Sequence, residues 1–76
     1  MSELEWLEIF GGNLKEIIEE SGYPQIEVAD ETGLSQTTIS RYINGKQMPS
    51  VKAIVNLAYI LNCDIRELMD FGDMID

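Results

Sequence analysis

Three of the five basic residues, Arg41, Lys46 and Lys52, lie in a stretch of the chain that has no acidic residue. The sequence contains 14 Asp and Glu residues, but none of them falls between Glu31 and Asp64. Guanidinium and ammonium groups that have no carboxylate beside them can approach phosphate groups. Although the formal net charge is −9, this pattern indicates a local surface suited to nucleic acid.

Residues that could carry out catalysis are scarce. There is no histidine, and Cys63, the single cysteine, follows an apolar helical pattern that is typical of a buried or half-buried position. The acidic residues near the C-terminal end, Asp70, Asp73 and Asp76, do not have the spacing of a calcium-binding loop. We therefore expect no enzymatic activity, no metal and no cofactor.

Length and composition indicate one small domain over residues 1–76. With 45% hydrophobic residues the chain can form a core, and a single cysteine cannot form an intrachain disulfide. The acidic N-terminal residues do not fit a secretory leader. No apolar run approaches the roughly 20 residues needed to cross a bilayer. We expect a soluble, cytoplasmic protein without membrane contact.

Apolar residues recur every three or four positions through most of the chain, which is the period of a helix. Ser2 with Glu5 predicts a capping box, and Ser35 and Ser50 are suited to N-cap positions. Together with glycines at the predicted helix ends, these signals predict five helices, at about residues 2–21, 24–32, 36–44, 51–61 and 65–70. We expect a compact all-α domain.

The sequence also predicts how some residues pack. In helix one, Gly11 and Gly12 predict either a kink or the close approach of a neighbouring element. In helix four, the inner stripe is expected to contain Val51, Ile54, Leu57, Ala58 and Leu61. Trp6, Tyr42 and Tyr59 are expected to be packing residues rather than stacking platforms for single-stranded nucleic acid.

Helices two and three have the lengths and the short connection of a helix-turn-helix. Ala29 is small where the two helices must cross, Gly33 lies in the turn, and Ile39 is apolar where helix three must face inward. With Ile39, Tyr42 and Ile43 turned inward, the opposite face of helix three is polar and free of carboxylates. That face presents Gln36, Thr37, Ser40, Arg41 and Asn44.

The side chains of this polar face match base edges in the major groove of DNA. Gln36 can pair with adenine, Arg41 can pair with guanine O6 and N7, and the Thr37 methyl group can contact the methyl group of thymine. The N-terminal part of such a helix is the part that enters the groove. The face therefore predicts contact with base pairs.

The stretch from residue 25 to residue 46 resembles the phage-repressor and Cro-like helix-turn-helix family, also called the XRE family. The combination that carries the resemblance is Ala29, Gly33, Ile39, Asn44-Gly45-Lys46 and Pro49. The resemblance covers roughly residues 9 to 69. It implies a lambda-repressor-like fold of five helices, with the helix-turn-helix formed by helices two and three.

The resemblance also implies which residues contact DNA. The base-reading positions of the family fall on Gln36, Thr37 and Arg41, and Ser40 belongs to the same face. The positions that contact phosphates are Gln25, Ser35, Thr38, Asn44 and Lys46. Lys52 could reach a flanking phosphate.

These observations predict a sequence-specific protein for double-stranded DNA, a small transcriptional regulator of phage or bacterial type. Because one module makes few phosphate contacts, we expect a homodimer that reads two half-sites about 34 Å apart. The predicted dimer contact consists of helix five with Phe71, Met74 and Ile75. The N-terminal region around Trp6 is the alternative contact.

A second hypothesis belongs to a different class of function. The carboxylates near both ends of the sequence could bind a basic protein partner, so the chain could be an acidic interaction module on a helix-turn-helix scaffold. An antirepressor is one example, and an antitoxin that also binds its own operator is an intermediate case. Binding to a random DNA library distinguishes the two hypotheses.

Overall fold

The computed structural model describes residues 1–72. These residues form five helices and no strand: α1 (Glu3–Ser21), α2 (Gln25–Thr32), α3 (Gln36–Ile43), α4 (Val51–Ile60) and α5 (Ile65–Leu68). The predicted all-α fold class is confirmed, and α5 ends two residues earlier than the pattern predicts. Within residues 1–72, no helix has the length and the apolar character needed to span a bilayer.

Side-chain caps fix where the helices begin. At α1 the Ser2 hydroxyl accepts a hydrogen bond of 3.1 Å from the backbone N–H of Glu5, and the Glu5 carboxylate accepts one of 3.3 Å from the N–H of Ser2. This is the reciprocal capping box, which satisfies N–H groups that have no partner inside the helix. Ser35, Ser50 and Asp64 cap α3, α4 and α5 in the same general way.

Gly11 is the point at which α1 crosses the end of α3. A Cβ atom on Gly11 would lie 2.5 Å from the carbonyl oxygens of both Tyr42 and Ile43. A Cβ on Gly12 would meet no atom within 4 Å, and α1 continues through both glycines. The close approach of a neighbouring element, one of the two alternatives that the sequence left open, is therefore confirmed, and of the two glycines only Gly11 requires it.

The core is formed by side chains from all five helices. The largest fully buried ones are Phe10, Leu14, Ile39, Leu57, Leu68 and Val28. Helix α1 packs against α3 and α5, α2 packs against α3 and α4, and α4 packs against α5. The two helices of the helix-turn-helix are thus held by α1 and α4, and α5 packs against those two helices; this leaves one side of α3 outward.

Phe71 belongs to this core, and its predicted role in a dimer contact is wrong. It is 5% exposed, and its ring lies 5.3 Å from the ring of Trp6, which in turn stacks on Phe10 at 5.3 Å. The Asn13 side chain donates hydrogen bonds to the carbonyls of Leu68 and Asp70, which holds the segment after α5 against α1. Met74 and Ile75, the other tail residues of that prediction, lie outside the described residues.

Two expectations about α4 are also wrong. Val51, which was expected on the inner stripe, is 77% exposed, and Tyr59, which was expected to be a packing residue, is 82% exposed. Ile54, Leu57 and Ala58 are buried as predicted. Val51 lies in the first turn at the edge of the buried arc, and Tyr59 lies well outside that arc, so neither side chain reaches the core.

Candidate nucleic-acid interface

Helix α3 is held in place by two buried side chains. Ile39 is fully buried, and Tyr42 is 4% exposed with its ring edge-on to Phe10 at 6.4 Å. Burial raises the pKa of the Tyr42 phenol above its ordinary value, so the ring stays neutral near pH 7. Because these residues fix the inner face of α3, the opposite face is turned outward.

The outward face of α3 brings the predicted base-contacting residues together. Gln36, Thr37 and Arg41 are exposed, and Ser40 is half-buried. These four side chains and Gln25, the first residue of α2, line one shallow depression. Its lining contains donors, acceptors and a cation but no carboxylate, so nothing in it opposes the approach of an acidic polymer.

Arg41 is oriented by the segment that follows α3. Its Nε donates a hydrogen bond of 3.0 Å to the Gln47 side-chain oxygen, and one terminal nitrogen donates to the Lys46 carbonyl at 3.4 Å. These two bonds use two of the five guanidinium N–H groups. Gln47 was not predicted as a functional residue, because its position six residues after Arg41 has no periodic signal.

The start of α3 combines a helix N-terminus with two hydroxyl groups. The Ser35 hydroxyl accepts a hydrogen bond of 3.0 Å from the N–H of Thr38 and lies 2.8 Å from the Thr38 hydroxyl. Only one of the two hydroxyls donates in that pair, so the other proton can be donated to a ligand. The helix dipole favours an anion at the same place. Ser35 and Thr38, the two predicted phosphate-contacting residues at this end, therefore both lie at the N-terminus of α3.

The other predicted phosphate-contacting residues differ in position. Lys46 is exposed three residues after the end of α3, and its backbone N–H donates a hydrogen bond of 2.8 Å to the Arg41 carbonyl. The Asn44 amide donates to the Ser40 carbonyl at 2.9 Å, so this side chain also closes the end of α3. Gln25 begins α2, whose N-terminus has no side-chain cap. Lys52 is exposed on α4 and does not line the depression.

Groups that could bind a metal do not gather within residues 1–72, where no cluster of three or more His, Cys, Asp or Glu side chains occurs. Cys63 is half-buried. Burial, helped by the nearby carboxylates of Glu67 and Asp64, raises the pKa of its thiol. A thiol in this state is a poor nucleophile near pH 7, so it adds no chemistry to the interface.

Comparison with known sequences agrees with a helix-turn-helix in this chain. The sequence profile of the helix-turn-helix family matches residues 14–68. Over 58 residues the chain is 33% identical to the ImmF control region 10 kDa protein of Bacillus phage phi105. That match covers 76% of this chain and 64% of the phage protein, so it spans slightly less than two thirds of the relative.

Solved structures of regulators have the same fold. The restriction-modification controller protein C.AhdI from Aeromonas hydrophila is 31% identical, with a TM-score of 0.78 over 82% of this chain and 94% of that one. The SOS-response transcriptional repressor LexA from Eubacterium rectale is 25% identical, with a TM-score of 0.82 over 100% of this chain and 80% of that one. The chain belongs to the helix-turn-helix family, of the phage-repressor and Cro-like (XRE) type, whose members are DNA-binding transcription regulators.

Proposed function

We propose that this protein binds specific sequences in double-stranded DNA and regulates transcription by inserting α3 into the major groove. The observation that carries the proposal is the outward polar face of α3, with Gln36, Thr37 and Arg41 exposed above the buried Ile39 and Tyr42. The major groove is about 12 Å wide and admits a helix. A carboxylate-free helix held at its inner face fits that groove.

The three exposed side chains have complementary roles on base edges. Gln36 donates and accepts in the pattern that adenine presents, and the Thr37 methyl group contacts thymine. The Nε of Arg41 is bonded to Gln47, and one terminal nitrogen donates to the Lys46 carbonyl, so three N–H groups on the two terminal nitrogens remain for DNA. They form the fork that pairs with guanine O6 and N7. Ser40, half-buried between them, adds a hydroxyl at the same edge.

Phosphate contacts set the register of α3 in the groove. They come from two places on the surface: the starts of α2 and α3, and the segment that ends α3. The residues are Gln25, Ser35, Thr38, Asn44 and Lys46. Since only one of these carries a positive charge, a single copy binds weakly, and two copies on half-sites about 34 Å apart give the necessary affinity.

Selection from a random library of duplexes tests this function. The wild-type chain should enrich a defined motif at low salt, and Arg41→Ala should lose enrichment at one guanine while the thermal unfolding curve stays unchanged. Arg66→Ala is the matched control, because it removes the same charge from α5, at a residue that does not line the depression on α3. Failure of the wild-type chain to enrich any motif contradicts the proposal.

The exposed carboxylates support one alternative function. The outer surface of α1 carries exposed acids, and so does α2; they include Glu16, Glu19, Glu20, Glu27 and Glu31. Such a surface suits a basic protein partner, as in an antirepressor or an antitoxin. The same selection separates the two, because an interaction module without DNA-reading activity leaves the library unenriched.

A further inference from the structure

Helix α4 presents an apolar stripe to solvent. Val51, Val55 and Tyr59 are 77%, 48% and 82% exposed. They are spaced four residues apart, so they lie on one face of the helix. The opposite face of α4 is buried against α2 and α5. Within residues 1–72, therefore, α4 has a second apolar face that the chain itself does not cover.

We infer that this face is the contact surface for a second copy of the chain, with the two α4 helices packed antiparallel around Val55. In that arrangement the two Val55 side chains meet at the two-fold axis, and Val51 of each copy lies against Tyr59 of the other. The proposed function places two copies of the chain on DNA, and this inference names the surface through which they touch. The inference rests on the proposed function only for the biological purpose of the contact.

Charge favours this face over others for contact between two copies. Each copy has a formal net charge of −9, so two copies repel one another when carboxylates face carboxylates. The sequence of α4, VKAIVNLAYI, has no acidic residue. Repulsion between charges falls off over a Debye length of about 8 Å at physiological salt. The α4 face lets the chains touch through a helix that carries no carboxylate of its own.

Charge complementarity selects the antiparallel arrangement. Glu27 and Glu31 line a cleft between α2 and α4 together with Tyr59, at the C-terminal end of α4. Lys52 is exposed at the N-terminal end, and at 3.6 residues per turn it lies only about 20° from Tyr59 around the helix axis. Antiparallel pairing therefore brings Lys52 of each copy towards the Glu27 and Glu31 carboxylates of the other. Parallel pairing would instead place like charges together.

The size of the stripe sets the strength of the contact. Ten residues of α4 span about 15 Å, and a stripe of three main side chains is smaller than the roughly 800 Å² per partner of a standard interface. The copies should therefore exchange between monomer and dimer in the micromolar range. Two adjacent half-sites on DNA would hold the copies together and shift this equilibrium towards the dimer.

Equilibrium sedimentation of the full chain without DNA tests the inference. The wild-type chain should change from monomer to dimer as its concentration rises through the micromolar range. Val55→Asp and Tyr59→Ala should each weaken association at least tenfold, with unchanged circular dichroism. The matched control is Leu4→Asp, which places the same charge on another exposed apolar residue, 62% exposed at the start of α1, and should leave association within twofold of wild type.

A charge exchange tests the partner and the orientation. Lys52→Glu alone should weaken association, and combining it with Glu31→Lys should restore it, because the pair then meets with reversed signs in both halves of the contact. Failure of the double variant to recover association would overturn the antiparallel arrangement.

A wild-type chain that stays monomeric, or association that is lost in Ile75→Asp but kept in Val55→Asp, would overturn the proposed contact surface itself. DNA selection by a chain that stays monomeric would reject the inference and leave the proposed function intact.

Discussion

The side-chain oxygen of Gln47 lies 3.0 Å from the Nε of Arg41 and accepts its hydrogen bond across the turn that ends α3. The guanidinium is exposed, so without this bond its long side chain would sample many rotamers. A residue outside α3 thus limits the orientations of the proposed guanine-reading side chain. Limiting rotamers before binding reduces the entropy lost on binding.

The Arg41–Gln47 pair makes a first prediction about DNA affinity. Arg41→Ala should cost about 1–3 kcal/mol on the selected site and relax the preference at one base pair. Gln47→Ala should cost less, because it releases the guanidinium without removing it. Fluorescence anisotropy with a labelled duplex measures both effects. If Gln47→Ala weakens binding equally in the Arg41→Ala background, Gln47 acts by itself and not through Arg41.

Gly11 and Gly12 offer a matched pair for stability. A Cβ on Gly11 would lie 2.5 Å from two backbone oxygens of α3, whereas one on Gly12 meets nothing within 4 Å. Gly11→Ala should therefore destabilise the fold by about 1–3 kcal/mol through overpacking. Gly12→Ala should stabilise it by about 0.5–1 kcal/mol, because alanine loses less backbone entropy in a helix. Urea unfolding measures both, and equal effects would contradict the crossing of α1 and α3 at Gly11.

Phe71 should contribute to stability. It is 5% exposed beside Trp6, and truncation of a buried phenylalanine costs about 3–5 kcal/mol. We expect Phe71→Ala to lower the free energy of unfolding by about 2–4 kcal/mol, since Phe71 lies near the end of the described residues, and to shift the Trp6 fluorescence of the folded state to longer wavelength. Tyr59→Ala removes an exposed ring and should change stability by less than about 0.5 kcal/mol. If the Phe71→Ala chain were as stable as wild type, the result would contradict the burial of Phe71 in the core.

The Asp64 carboxyl should have an unusually low pKa. Hydrogen bonds from the Arg66 guanidinium and from its backbone N–H lower the pKa of this carboxyl to about 2. Because the folded pKa lies below the unfolded value of about 3.9, any stabilisation is present above pH 4 and is lost as pH falls towards 2. Carboxyl NMR should give a midpoint near 2. That midpoint should rise in Arg66→Ala, and an unchanged midpoint would show that the guanidinium has no effect.

Sequence patterns are sufficient to predict the local features of this fold. Ser2, Ser35 and Ser50 marked helix starts because a cap depends on residues within one turn. The polar face of α3 could be predicted because Ile39 and Tyr42 fix its orientation through the helical period. The outward positions of Gln36 and Arg41 follow from the same period and need no tertiary information.

Features that depend on distant parts of the chain were not predictable in this way. Phe71 is buried against Trp6, at the other end of the sequence, and Asn13 donates to the carbonyls of Leu68 and Asp70 more than fifty residues away. The exposure of Val51 and Tyr59 depends on where α2 and α5 cover α4. Gln47 acts from a turn, which has no period. In each case the decisive contact joins elements whose relative placement the sequence pattern does not give.

Amide chemical-shift mapping tests the central claim most directly. The ¹⁵N-labelled chain is titrated with its selected duplex, and a scrambled duplex of the same length is the control. The account predicts that the largest shift changes specific to the selected duplex fall between residues 35 and 47 and at Gln25, with those of α1 nearly unchanged. Changes concentrated on the acidic face of α1, or identical changes with the scrambled duplex, would contradict base reading by α3.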